Sequence, residues 1–227
     1  NNFNFQKKTE GMQFYKVKYL RKIHEYSDVY SYFFEKGPIQ YIAGQYSHIL
    51  LGENPVRDYV HEMSFSSSPD EDTLRFTMHV GSSTPFKQAI ENLQTGDSVS
   101  LFKIKGAFVL PQIYDKPLVF IAGGVGMTPF RSLILESKGR YNIDLFQVQR
   151  GDNFLFREEL EPLVSTYYPI QPEDLVPSLE KLINAKTDAL FYVCGSQRFL
   201  DGVLSQLHQS NIPESQILVE KFFKQRK

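Results

Sequence analysis

The chain is 227 residues long, enough for one large domain or two small ones, and its 41% hydrophobic and 22% charged residues exclude bulk disorder. Lys and Arg number 25 against 26 Asp and Glu, a formal net charge of −1, so no bulk attraction to nucleic acid or to an anionic membrane is expected. A single cysteine, Cys194, excludes an internal disulfide, a thiolate iron–sulfur cluster and a multi-cysteine zinc site within the chain, and no metal is expected.

In chain order, the opening NNFNFQKKTEG lacks the basic-then-apolar order of a secretory signal, and no apolar run approaches the roughly 18 residues of a spanning helix; the expectation is a cytoplasmic protein with no integral membrane segment. Short strands follow, separated by turn signals. Phe14–Leu20 and Leu74–Val80 alternate with period two, and Ser98–Phe102 follows. Gly37-Pro38, Gly44, Gly52, Asn54-Pro55 and Pro69-Asp70 mark turns. One helix is predicted over Pro85–Leu93, with Phe86, Ala89, Ile90 and Leu93 on one face, closed by Thr95-Gly96-Asp97. Many short strands with one helix predict an antiparallel Greek-key β-barrel over residues 1–113.

The rhythm changes between Pro111 and Pro117. Leu118–Ala122 is a continuous apolar run, as a parallel strand buried on both faces requires, and it enters Gly123-Gly124-Val125-Gly126. Helices are predicted at Pro129–Glu136, Phe156–Leu163, Pro172–Ile183 and Phe199–Gln209, and strands at Ile143–Val148, Leu190–Val193 and Ile217–Glu220. Alternation of strand and helix predicts a doubly wound parallel α/β sheet over residues 114–227, making the whole an α/β two-domain chain. In the turn after the first of these strands, Gly123, Gly124 and Gly126 are expected to take positive φ or to admit a close neighbour, Thr128 to cap the next helix and Pro129 to open it. A helix start of that kind receives anions, so a phosphate-bearing dinucleotide is the expected occupant.

Together these motifs, in this order, resemble the ferredoxin–NAD(P) reductase superfamily over most of the chain, from about Phe14 to Phe222. Gly44-Gln45-Tyr46 resembles the family's G-Q-[YF] step, and His61-Glu62-Met63-Ser64-Phe65-Ser66-Ser67-Ser68-Pro69 its flavin motif. Gly81–Lys87 (GSSTPFK) resembles the segment that meets the FAD pyrophosphate; Gly96-Asp97 with Gly106-Ala107-Phe108 matches the G-D…G-x-F spacing. AGGVGMTP is similar to the nucleotide-binding turn, Tyr192-Val193-Cys194-Gly195 to Y-x-C-G, and Glu220-Lys221-Phe222 to the terminal E-x-F.

The resemblance implies that NAD(P)H docks on the second domain and gives a hydride to N5 of FAD on the first, the two rings meeting where the domains join, with electrons then passed to a separate redox protein such as a ferredoxin or flavodoxin. It implies catalytic roles for Ser64 beside N5, Cys194 beside the nicotinamide and Glu220 near the flavin edge. FAD contacts are implied for His61, Met63, Phe65, Ser66, His79, Val80, Thr84, Pro85, Phe86 and Phe222, and nucleotide contacts for Gly123, Gly124, Val125, Gly126, Thr128, Pro129 and Gly195. Arg150, after the Ile143–Val148 strand, is a candidate for a 2′-phosphate, which leans toward NADPH over NADH. Two alternatives are a non-catalytic nucleotide-binding or regulatory module on the same fold, and an electron-transfer subunit of a larger complex.

The chain departs from the family at Met63, where an aromatic residue is usual, and at His61, where an arginine usually clamps the pyrophosphate. A histidine there predicts FAD binding that weakens as pH rises past about 6.5, with Arg57 or Lys87 as the other phosphate-binding candidates. Lys103-Ile104-Lys105 replaces the usual Gly-Pro before Gly106, and the stretch from Glu159 to Val193 is short, its third strand abbreviated to Val164–Ile170.

Overall fold

The computed structural model describes residues 12–52, 56–81, 84–112 and 115–221. The chain divides into two compact units, 1–109 and 110–227.

In the first unit six strands form one antiparallel sheet in the order β4-β3-β6-β1-β2-β5. They are β1 (Phe14–Tyr26), β2 (Val29–Glu35), β3 (Tyr46–Leu51), β4 (Val60–Ser64), β5 (Thr73–His79) and β6 (Ser98–Lys105), with one helix, α1 (Pro85–Glu91). The predicted first strand runs six residues beyond Leu20 because a bulge between Tyr19 and Arg21 lets it change partners. Residues 14–18 pair with β6, and the rest form a hairpin with β2 through Ser27-Asp28, where Ser27 takes φ +45°. Alternation then sorts the side chains. Val17, Tyr19, Tyr32, Phe34, Ile49, Met63, Phe76 and Leu101 fill the interior, and α1 adds Phe86 and Ile90.

Edge strands β4 and β5 are joined by a hydrogen-bonded serine cluster. The Ser66 amide donates to the Arg75 carbonyl at 2.8 Å, and the Arg75 amide donates to the Ser67 hydroxyl at 3.0 Å. The Ser66 hydroxyl lies 3.1 Å from Thr77 Oγ1, which bridges on to Ser31 at 2.6 Å. Arg75 Nε donates to Ser31 at 3.0 Å while its Nη2 reaches Glu25 at 2.6 Å. Each buried hydroxyl in this cluster has a partner, as burial demands.

The second unit is a five-stranded parallel sheet in the order β11-β10-β7-β8-β9. Its strands are β7 (Leu118–Gly123), β8 (Ile143–Val148), β9 (Thr166–Ile170), β10 (Leu190–Gly195) and β11 (Ile217–Lys221); its helices are α2 (Thr128–Ser137), α3 (Arg157–Leu160), α4 (Leu175–Ala185) and α5 (Gln197–Gln209). The three central strands are buried along almost their whole length, which is why they read as unbroken apolar runs. Pro169 in β9 is tolerated because that strand lies at the edge. The helix expected at 156–163 is one α-turn followed by a 3-10 turn over Glu161–Leu163, with Pro162 at the junction.

One ion pair lies within this sheet's packing. Asp144, on β8 with 2% of its side chain exposed, meets Lys186 Nζ at 2.9 Å, just past the end of α4. Removing one member of a buried pair strands the other. Lys186→Met is expected to lower unfolding free energy by about 3 kcal/mol in urea titration. Adding Asp144→Leu should recover most of that loss; an unchanged midpoint for Lys186→Met alone would contradict the assignment.

Candidate functional site

In the first unit the flavin-like motif lies on β4 and the segment after it. Ladder register places His61 opposite Ile49, Met63 opposite Ser47 and Ser64 opposite Tyr46. The His61 ring meets the edge of Phe86 at 5.2 Å and 75°, so α1 covers it. Burial pushes its imidazole below the ordinary value, and the nearby Lys87 charge pushes it further. His61 is therefore neutral at pH 7 and supplies no bidentate cation there. Met63 is 6% exposed and belongs to the barrel interior, so its thioether is packed among core side chains. Ser64, Phe65 and Ser66 are buried, and Phe65 stacks on Tyr41 at 3.9 Å and 14°.

The basic groups near this segment come from elsewhere. Lys87, in the first turn of α1, is partly buried; desolvation lowers its pKa, while the Asp28 and Glu91 carboxylates oppose that shift. The 3-10 turn Arg57–Tyr59 packs beside α1 and leaves Arg57 exposed. Thr84 caps α1, its hydroxyl accepting the Lys87 amide at 3.4 Å, and Pro85 opens the helix; Ser82 and Ser83 lie outside the described residues.

The chain entering α1 is fastened by a residue that motif matching passed over, Asp28. Its carbonyl accepts the Val80 amide at 2.8 Å, its Oδ2 accepts the Gly81 amide at 3.0 Å, and its Oδ1 pairs with His79 Nδ1 at 2.9 Å. These contacts, the His79 bond first, hold the Asp28 carboxyl below its ordinary pKa. The only advance signal was the hairpin turn itself, Ser27-Asp28, whose spatial neighbour no local pattern reveals.

In the second unit the glycine turn differs from its expected form. Only Gly124 of the three takes positive φ, +55°. Thr128 is not the cap: a 3-10 turn, Gly124–Met127, leads straight into α2, so Thr128 is already helical, Met127 precedes it, and no side chain caps the start. The Thr128 amide is spent on the Val125 carbonyl. Gly126 is required for another reason. A Cβ there would stand 2.3 Å from the Cys194 carbonyl oxygen and 2.8 Å from Gly195 Cα, so the turn lies directly against the β10 backbone.

Cys194 is fully buried, and desolvation pushes its thiol well above the ordinary range, with the Glu220 charge adding to the shift. It is a neutral thiol, neither nucleophile nor acid at pH 7. Glu220 sits beside it across the β10–β11 ladder and is half-buried; Phe222 lies outside the described residues.

Arg150 is exposed and makes no ion pair among the described residues. The residue after it is clasped: the Gly151 amide donates to Gln171 Oε1 at 3.1 Å, and Gln171 Nε2 donates back to the Gly151 carbonyl at 3.0 Å. Arg157 is committed, pairing with Glu161 at 2.9 Å over the Phe154 and Tyr167 rings. Among the described residues no three His, Cys, Asp or Glu side chains gather as a metal site, and no helix is long and apolar enough to cross a membrane.

Two measurements test this geometry. Gly126→Ala, driven into backbone, is expected to lose about 3 kcal/mol of stability, whereas Gly124→Asn, whose nearest neighbour is Gln149 at 3.7 Å, should stay within about 1 kcal/mol of the parent; equal losses would refute the turn's assignment. His61 gives a pH test. Its folded pKa lies below its unfolded value, so the unfolded chain takes up the proton first and stability falls as pH drops below about 6.5. His61→Gln should flatten that fall between pH 7 and 5 in thermal melts.

No protein-family model matches the chain. In sequence it is similar to flavohemoprotein A of Dictyostelium discoideum, 27% identical over 89% of this chain and 58% of that protein. Phenol hydroxylase P5 protein of Acinetobacter pittii is 29% identical over 82% and 58%. DmpP, the reductase component of a Pseudomonas phenol 2-monooxygenase, is 27% identical over 82% and 59%. The chain thus spans less than three fifths of these relatives' length. In fold it matches a ferredoxin–NADP+ reductase of Neisseria gonorrhoeae solved with FAD and NADP, at TM-score 0.77 and 19% identity over 92% of this chain and 99% of that one. It also matches a flavohemoglobin of Malassezia yamatoensis with FAD and heme, at TM-score 0.78 and 17% identity over 96% and 63%.

Proposed function

Given a sequence and a fold that both bear out the resemblance to the ferredoxin–NAD(P) reductase superfamily, we propose that this chain is the FAD- and NAD(P)H-binding reductase portion of an electron-transfer protein, passing electrons to a separate redox protein. The observation that supports this most is the sheet order of the second unit. Connections run from β7 toward β8 on one side, and β10 returns on the other, so the strand order reverses between β7 and β10. Ligands of doubly wound sheets sit at the carboxyl ends of the strands at such a reversal, and the Gly123–Gly126 turn stands there.

The first unit offers residues that fit FAD. Lys87 and Arg57 supply the positive charge that a pyrophosphate needs, in place of the usual arginine. Asp28 holds the approach to α1 in position. Bound FAD would supply the two-electron acceptor for a nicotinamide hydride, chemistry no side chain here provides. Ser64 contributes a hydroxyl toward the ring edge. Cys194 stays a protonated, small side chain that competes for neither hydride nor proton. Arg150, without an ion pair among the described residues and next to the Gly151–Gln171 clasp, favours the 2′-phosphate of NADPH. Cys194 alone builds no iron–sulfur cluster within these 227 residues, so the acceptor group lies outside them; the relatives' names point to haem and oxygenase partners, and the cytoplasm is the location we assign.

Two features favour a second reading, a nucleotide-binding module without turnover: Met63 is packed into the barrel interior, and His61 is neutral. Anaerobic mixing separates the two. A yellow protein bleached by NADPH, and faster than by NADH, is expected; a colourless protein that neither takes up FAD nor consumes either nucleotide would end the reductase proposal. Arg150→Ala should raise KM for NADPH about tenfold, a loss of about 1.4 kcal/mol, and leave that for NADH nearly unchanged.

A further inference from the structure

Strands β7 and β10 run side by side until Ala122 and Cys194, their last paired residues. One residue later they part. Gly123 pairs with Val148 on β8, and Gly195 pairs with Lys221 on β11. The ring of Phe199 fills the fork so formed. A Cβ on Gly123 would lie 2.7 Å from its Cγ, and one on Gly195 would lie 2.6 Å from its Cδ1. Neither glycine has positive φ, so it is the ring, and no demand of the backbone, that keeps both positions free of a side chain.

The ring is held from behind. Phe199 stands in the first turn of α5, whose cap, Ser196, accepts the Phe199 amide at 3.4 Å, and it packs against the buried cluster of Val193, Leu200 and Val203. It is half-buried and stands beside Gly123 and Gly195, the last residues of β7 and β10.

We propose that Phe199 is a positioning residue of the nucleotide crevice: its ring wedges the fork at Gly123 and Gly195 and so sets where the Gly123–Gly126 turn offers its amides to a dinucleotide. This rests on the reductase reading above. With the ring removed, the turn loses the surface it leans on and its amides lose their aim; with a side chain on Gly195, the ring is expelled and the same aim is lost.

The test uses the full chain with ADP-ribose and NADP+ as probes. Phe199→Ala is expected to raise the dissociation constant of both about tenfold, with FAD affinity unchanged, and Phe199→Tyr, which keeps the ring, to restore it. Phe199→Leu serves if the alanine variant does not fold, with a smaller loss in the same direction. Gly195→Ala should show a loss like that of Phe199→Ala, and the double variant should be no worse than either, because both act through one ring. A fall in melting temperature with both constants within about twofold of the parent, or losses that add in the double variant, would overturn the wedge. A parent protein that binds neither probe would overturn the reductase reading itself, and the wedge with it.

Discussion

The second unit depends on backbone meeting backbone without side chains between. The turn that leaves β7 lies directly on the Cys194–Gly195 end of β10, so close that a single methyl group on Gly126 would overlap the Cys194 carbonyl. Cys194 is sealed from solvent and stays a neutral thiol. The Thr128 amide is consumed within the 3-10 turn, so the amides left to meet an anion lie earlier in the turn. Glycine therefore serves two purposes in one short motif: conformational freedom at Gly124, and room for a neighbouring chain at Gly126.

The barrel half is organised by polar fastening around an aromatic interior. Tyr32, Phe34, Phe65, Phe76 and Phe86 are among the largest fully buried side chains, but apolar packing is non-directional and does not choose which edge strands meet. That choice falls to the Ser66, Ser67, Thr77, Ser31 and Arg75 cluster, whose hydrogen bonds have direction and would be costly to leave unmade. The serine-rich stretch after β4 is at once the end of the flavin-like motif and the clasp of the barrel, which gives a structural reason for its buried hydroxyls.

Much of this was legible in the sequence because it is local. Parallel strands β7, β8 and β10 showed as apolar runs, α1 as a stretch opened by Pro85 with a four-residue apolar face, and the change of rhythm near Pro111 as a change of architecture. What escaped was decided by contacts distant in sequence. The β1 strand outran its alternating pattern because a bulge at Leu20 transfers it between partners. Thr128 carried the residue type of a cap but was pre-empted by the 3-10 turn before it. Asp28 and Phe199 lie in no motif; each matters through a chain segment that folding brings to it, Gly81 in one case and Gly123 with Gly195 in the other. Individual glycines were visible, but whether one is needed for φ or for space depends on a neighbour that the sequence does not name.

The histidine in place of arginine illustrates how substitution and surroundings belong together. An arginine at position 61 would bring a permanent charge under α1, against Phe86 and near Lys87, and would need a counter-ion to be held there. A neutral imidazole avoids that cost and packs its ring on Phe86. The positive charge is displaced outward to Lys87 and to the exposed Arg57, and Asp28 balances Lys87 while fastening the backbone beside it. Charge that a pyrophosphate would meet is thereby carried by side chains on α1 and on the neighbouring 3-10 turn instead of by a buried fork. Such charges are more easily screened by salt than a desolvated guanidinium would be, so a pyrophosphate held by them would feel ionic strength more than one held by a buried arginine.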